Sequence, residues 1–94
     1  MILTELNPKW VMDDTSGLDM LWFDCPAHPE SKINGESTDW VSIRVSDDPS
    51  VQRWRDYPVW TRIGIDFRTL TIKPSIDMRG HWHGFVTNGE IITV

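Results

Sequence analysis

Short runs in which apolar and polar residues alternate are the feature that most constrains the fold. Val41, Ile43 and Val45 alternate with polar residues, which is the pattern of a half-buried β-strand. Asn88-Gly89 separates two C-terminal runs and is a strong hairpin signal. The pattern predicts a mainly β fold, either a small antiparallel sandwich or a partly open barrel, with about six short strands and one short helix.

Local signals predict the other elements. Residues 2–6 suit a first strand, and the continuous apolar run 20–23 suits a strand buried on both faces. The apolar phase slips within 63–72, which predicts a β-bulge near Thr69. Asp48-Pro49 has the form of an N-cap followed by a first-turn proline, so a short helix is expected over 49–56.

Length and cysteine count limit the classes of protein that this chain can be. Ninety-four residues suit one domain over 1–94, and a domain of this size often needs a metal, a disulfide or a partner for stability. A single cysteine excludes an internal disulfide. No stretch has the form of a signal peptide or a membrane span, so a cytoplasmic location is expected.

Charge is distributed unevenly along the chain. Residues 1–50 carry ten acidic and three basic side chains, whereas residues 51–94 carry four and six. The acidic half is either a solvated surface or a face that attracts a basic protein partner. The candidate partner-binding residues are Asp13, Asp14, Asp47 and Asp48. Direct binding of nucleic acid is disfavoured, because the chain lacks the high pI of such domains.

The cysteine and the three histidines fall into two close pairs. Cys25 and His28 form a Cys-x-x-His turn, and His81 and His83 form a His-x-His stretch. On a strand, His-x-His projects both rings from one face. If the two segments meet, they supply the sulfur and nitrogen donors that zinc prefers. His83 is expected to be the more secure histidine of its pair, because His81 lies at a strand end.

Other chemistries remain open for the same residues. Asp24 or Asp77 could complete the metal shell or orient a histidine ligand. Cys25 could act as a nucleophile if His28 or His83 served as its base. A three-ligand zinc site with an open position could support hydrolysis, with Asp24 or Glu30 as base. No catalytic signature surrounds these residues, so a structural metal is preferred and no catalytic residue is assigned.

Three blocks of sequence form a recognisable pattern: Phe23-Asp24-Cys25-Pro26-Ala27-His28, Leu70-Thr71-Ile72-Lys73-Pro74-Ser75-Ile76, and Trp82-His83-Gly84-Phe85-Val86-Thr87-Asn88-Gly89-Glu90-Ile91. In this order they resemble the uncharacterised family DUF6527, whose members are small proteins mostly of bacteriophages and prophages. The resemblance spans residues 18–93. It implies a metal-binding knuckle at Cys25, His28 and His83. Many members have cysteine where His28 stands and a Cys-His pair where Trp82-His83 stands, and His81 is the natural substitute for the missing donor.

The resemblance and the acidic, motif-poor character lead to one preferred function and one alternative. The preferred function is a non-enzymatic phage or prophage accessory protein that binds a host or phage protein in the host cytoplasm. Inhibition of a host defence system, as by anti-CRISPR proteins, fits this description. The alternative is a small zinc-dependent hydrolase with an open CysHis₂ site.

Overall fold

The computed structural model describes residues 1–28, 32–34 and 36–94. They form a 3-10 helix at Leu3–Leu6 followed by ten strands, and strand makes up 53% of the structure. The strands are β1 Lys9–Met12, β2 Asp19–Asp24, β3 Lys32–Ile33, β4 Glu36–Ser37, β5 Trp40–Ser46, β6 Arg53–Trp54, β7 Tyr57–Ile63, β8 Thr71–Met78, β9 Trp82–Thr87 and β10 Glu90–Thr93. The predicted mainly β class is confirmed.

One sheet curls into a half-barrel, so the partly open barrel is the observed alternative and the sandwich is not. Its strand order is β1-β2-β5-β7-β8-β9-β10, and β6 pairs with the first residues of β7. These pairings are antiparallel except for β5 and β7, which run parallel. Strands β3 and β4 form a separate small hairpin.

The core lies on the inner face of the half-barrel, because apolar and polar side chains alternate along the strands as predicted. Val41, Ile43 and Val45 are buried on β5, and Leu21 and Phe23 are buried on β2. The other buried core residues are Cys25, directly after β2, and residues of the 3-10 helix and the C-terminal half: Leu3, Leu6, Trp60, Leu70, Ile72, Ile76, Trp82, Val86 and Ile91. The Phe23 and Trp82 rings meet edge to face at 5.9 Å, which joins β2 to β9 across the core.

Two N-terminal expectations are wrong. Residues 2–6 form no regular strand. Leu3 and Leu6 are both buried, and a helix with three residues per turn brings them to the same side. The run 20–23 is half-buried, since Leu21 and Phe23 point inward while Trp22 stacks on Trp40 outside the core. The described residues contain no helix long and apolar enough to cross a membrane.

The expected helix at 49–56 is absent. Asp48 accepts hydrogen bonds from the backbone N–H and hydroxyl of Ser50, which closes a local turn. The chain then reverses at Arg55, whose φ is 55°, so that Arg53–Trp54 pairs with Tyr57 and Pro58. Such side-chain hydrogen bonds are available to Asp in turns as well as at helix caps, and the cap pattern alone does not distinguish them.

The expected bulge lies further along the chain than Thr69. Strand β7 ends at Ile63, and the register shift occurs on β8 between Ile72 and Ile76. Pro74 therefore lies within a strand instead of interrupting one. The C-terminal hairpin is confirmed, with Asn88 and Gly89 at φ 48° and 76° between β9 and β10. Two successive positive φ values are those of a type I′ turn.

Arg62 joins three parts of the half-barrel. Its guanidinium donates two hydrogen bonds to Asp47 and one to Asp19, and it lies over the Trp10 ring at 4.8 Å. The side chain is only 11% exposed, whereas Arg68, which forms a similar pair with Asp66, is 79% exposed. These two arginines therefore form a matched comparison between a packed and a solvated ion pair.

We expect Arg62→Ala to lower the free energy of unfolding by about 1–2 kcal/mol at neutral pH. Arg68→Ala should leave it unchanged within the error of the measurement, because water screens this exposed ion pair. Hydrogen bonds from Arg62 lower the pKa of Asp47. The contribution of the ionised Asp47 to the free energy of unfolding is therefore present above the unfolded pKa of about 4. It is lost as pH falls through the lower folded value. Urea denaturation at pH 7 and pH 3 measures both effects. Equal losses from the two arginine variants would contradict the packed role of Arg62.

Candidate metal centre

Four potential metal-ligating side chains converge at one end of the half-barrel. Cys25, His28, Asp39 and His81 each place one ligand atom within 4.8 Å of the others. The Asp39 carboxylate contacts both histidines, with Oδ2 2.9 Å from His28 Nδ1 and Oδ1 2.8 Å from His81 Nε2. Cys25 Sγ lies 3.8 Å from His28 Nδ1. We name these four residues the metal cluster.

Backbone pairing brings three of the four residues together. Strand β2 ends at Asp24, which is opposite Trp40 at the start of β5. The next pair outward is Cys25 and Asp39, and the Cys25 N–H donates to the Asp39 carbonyl at 3.0 Å. The Cys-Pro-Ala-His segment then turns back, with the His28 N–H donating to the Cys25 carbonyl at 3.2 Å.

His81 comes from the opposite side of the half-barrel. It follows β8 in a tight turn in which its N–H donates to the Met78 carbonyl at 2.8 Å and Gly80 has a φ of 72°. Strands β8 and β9 do not pair with β2 or β5 in the sheet. The His81 side chain therefore connects, through the cluster, two regions that the sheet hydrogen bonds do not join.

Burial of the cluster increases from the histidines to the cysteine. The side chains of His28 and His81 are 47% and 36% exposed, Asp39 is 23% exposed, and Cys25 is fully buried. Burial raises the pKa of the Cys25 thiol above its usual value, and the Asp39 charge raises it further. A positive ion among these donors would reverse this effect, because it stabilises the thiolate.

The donor set fits a metal ion. One sulfur, two imidazole nitrogens and one carboxylate oxygen are all known zinc donors. In a tetrahedral zinc site, bonds of about 2.0–2.3 Å place neighbouring ligand atoms about 3.3–3.8 Å apart. The separations of 2.8 and 2.9 Å are shorter than this range, and the separation of 3.8 Å lies at its upper end. All four ligand atoms lie within 4.8 Å of one another. The cluster could therefore hold a metal ion with small side-chain adjustments.

The same geometry does not form a cysteine–histidine–aspartate relay. In such a triad, one ring nitrogen of the histidine faces the nucleophile and the other faces the carboxylate. Here His28 presents Nδ1 to both Cys25 and Asp39. Cys25 is also buried with a raised thiol pKa, which disfavours the reactive thiolate.

The structure brings Cys25, His28 and His81 together but does not bring His83 to them, so the expected ranking of the two histidines is reversed. His81 precedes the strand, and on β9 the side chains alternate, with Trp82 buried and His83 exposed. His83 Nε2 lies 3.2 Å from the Ser75 hydroxyl. The premise that both rings share one strand face fails because His81 lies in a turn.

The other predicted supporting residues also lie outside the cluster. The Asp24 carboxylate accepts a hydrogen bond from the Asn7 side chain, and Asp77 is the cross-strand neighbour of His83. Glu30 lies outside the described residues. Asp39 was not predicted. The sequence signal that could have identified Asp39 is the pair of apolar runs that become β2 and β5. Their antiparallel pairing makes Cys25, after β2, a neighbour of Asp39, before β5.

Comparison of the chain with protein-family models, curated proteins and solved structures finds no match. The DUF6527 resemblance therefore stays a prediction.

Three of the four aspartates predicted to bind a partner have partners within the chain. Asp13 accepts hydrogen bonds from Ser16 and Arg44, which lower its pKa. Hydrogen bonds also lower the pKa of Asp47, through Arg62, and of Asp48, through Ser50. Asp14 is exposed. These internal contacts neutralise or orient part of the acidic charge before any partner arrives.

Proposed function

We propose that the protein is a small non-enzymatic binding factor whose fold is stabilised by one structural zinc ion in the metal cluster. The observation that carries the structural role is the position of Asp39. Its carboxylate contacts His28 on the nitrogen that also faces Cys25. An aspartate that only orients a histidine ligand would instead contact the ring nitrogen facing away from the metal.

This placement favours a closed site. With Cys25, His28, Asp39 and His81 all bound, the four-coordinate shell of zinc is complete and no position remains for a reacting water. The two connected regions also lie far apart in sequence, with His28 and His81 separated by 53 positions. A metal that joins them restricts the unfolded chain, as a cross-link does.

The binding role is supported by an aromatic surface on the outside of the sheet. Trp22 stacks on Trp40, Trp54 stacks on Tyr57, and the Arg44 guanidinium lies about 5 Å from the Trp54 and Tyr57 rings. Trp40 and Tyr57 are 47% and 54% exposed. Trp, Tyr and Arg are the residues most enriched at the energetic centres of protein interfaces.

The proposed setting is a phage or prophage protein that acts on a host or phage protein in the host cytoplasm, with inhibition of a defence system as the effect. The resemblance to DUF6527 supports this setting. A binder acts in proportion to its amount, so titration against its target should saturate near one protein per binding site. Full effect at a hundredfold lower dose, lost in a folded Cys25→Ser variant, would instead support the zinc hydrolase.

The acidic residues provide a separate test of partner binding. Replacing Asp13, Asp14, Asp47 and Asp48 by asparagine should slow association with the target and reduce its salt dependence, because rim charges act mainly on association rates. Surface plasmon resonance at two salt concentrations measures both. Since Asp14 alone is exposed without a described internal contact, Asp14→Asn is the informative single variant. An association rate indifferent to all four changes would mean that the acidic face is only solvated.

A further inference from the structure

A groove opens where two neighbours of β7 separate. Strand β8 pairs with β7 only from Thr61 to Ile63, and its register against β9 shifts between Ile72 and Ile76. Strand β6 pairs with β7 only at Tyr57 and Pro58. The space between the β6 region and β8 has a volume of about 960 Å³. Its floor and walls include Val59, Trp60, Pro49, Pro58 and Pro74.

One edge of β8 faces this groove, and no strand among the described residues lies beside it there. Residues 76–78 pair with β9 on the other side, while pairing with β7 ends at Lys73. The Ser75 carbonyl points into the groove, because it accepts a hydrogen bond from the Trp60 indole at 3.1 Å. Backbone groups of a strand alternate between its two edges, so the N–H and C=O of Asp77 face the groove as well.

The charges beside this edge favour an acidic ligand. Lys73 and Arg79 are exposed at the two ends of the edge, with Asp77 between them. Across the groove, the Asp47 charge is compensated by its two hydrogen bonds from Arg62. The edge therefore has an excess of positive charge at its ends and an apolar floor beneath its centre.

We propose that the groove binds an extended peptide segment of a partner protein, with apolar residues in its middle and acidic residues near its ends. The peptide adds as a strand to the open edge of β8, hydrogen-bonding to Asp77 and placing an apolar side chain on Val59 and Trp60. Strand addition of this kind gives affinity through the main chain and specificity through side-chain pockets. This proposal rests on the proposed binding function and names the chemical class of the partner.

Selection of random nine-residue peptides displayed on phage against the immobilised zinc-loaded protein tests the proposal. Enriched peptides should carry acidic residues flanking apolar ones. Lys73→Glu combined with Arg79→Glu should weaken their binding at least about tenfold, while Lys9→Glu, an exposed charge on β1, should not. An unchanged melting temperature shows that each variant folds. Bound peptide should also slow hydrogen exchange of the Asp77 amide about tenfold.

Three results would overturn the proposal: no enriched peptide, equal binding by the charge-reversed and Lys9→Glu variants, or an Asp77 amide that exchanges as fast with peptide as without it. Failure here is separable from failure of the proposed function. If the charge-reversed protein still saturates its target at one per site, the protein is a binder that uses another surface.

Discussion

Replacing Cys25 by serine is expected to lower the free energy of unfolding of the zinc-loaded protein by about 4 kcal/mol. The metal binds the folded arrangement of donors much more tightly than the unfolded chain, so its binding energy becomes folding energy. Serine retains the size of cysteine approximately but is a poor zinc ligand. In excess chelator, the difference between the two proteins should shrink to about 1 kcal/mol, the cost of a buried hydroxyl.

Urea denaturation with one equivalent of zinc and with chelator measures both differences. His83→Ala is the control for removal of a potential metal ligand outside the site, because His83 lies outside the metal cluster and contacts Ser75 instead. Its stability should depend on zinc as strongly as that of the wild type. A Cys25→Ser protein whose deficit is the same in chelator as in zinc would show that Cys25 acts only as a packed core residue.

Gly84→Ala is expected to lower the free energy of unfolding by about 3 kcal/mol, the upper end of the usual cost of overpacking. A β-carbon at this position would lie 2.3 Å from the buried Trp82 ring and 2.5 Å from the Ile92 carbonyl oxygen. The ring could move only by disturbing its edge-to-face contact with Phe23, and the carbonyl only by moving β10. Gly84 therefore makes room for the Trp82 ring.

Gly17→Ala separates this steric effect from backbone strain. Gly17 has a φ of 73°, but a β-carbon there would meet no atom within 4 Å. Alanine at Gly17 should therefore cost about 1 kcal/mol through its left-handed conformation alone. Thermal and urea unfolding of the two variants provide the comparison. A Gly84→Ala protein within about 0.5 kcal/mol of wild type would mean that Trp82 has another well-packed position.

The fold could be predicted where alternation and turn chemistry agree. Val41, Ile43 and Val45 point inward as expected, and Asn88-Gly89 forms the expected turn. Predictions failed where a local signal has two structural outcomes. Asp48-Pro49 suits a helix start and also a loop turn, and only the pairing of Arg53 and Trp54 with β7 decides between them. Long-range pairing of this kind is not contained in a local pattern.

The metal cluster could be predicted only in part, because some of its residues are brought together by long-range pairing. Cys25 and His28 lie in one turn, and their short separation already brings them together. The choice between His81 and His83 depends on where β9 begins, and a difference of one residue changes which ring faces the cluster. Asp39 is eleven residues from His28 in sequence and becomes its neighbour only through the β2–β5 register.

The most direct test of the structural zinc site is elemental analysis of three untagged proteins purified without chelators: wild type, His81→Ala and His83→Ala. The two histidines are two residues apart, and only His81 belongs to the metal cluster. We expect about one zinc per chain in the wild type and in His83→Ala, with a clear loss in His81→Ala. A wild type with less than about a tenth of an equivalent of zinc, and with the same melting temperature after chelator treatment, would contradict the zinc site. Zinc lost with His83 and retained without His81 would contradict the ligand assignment.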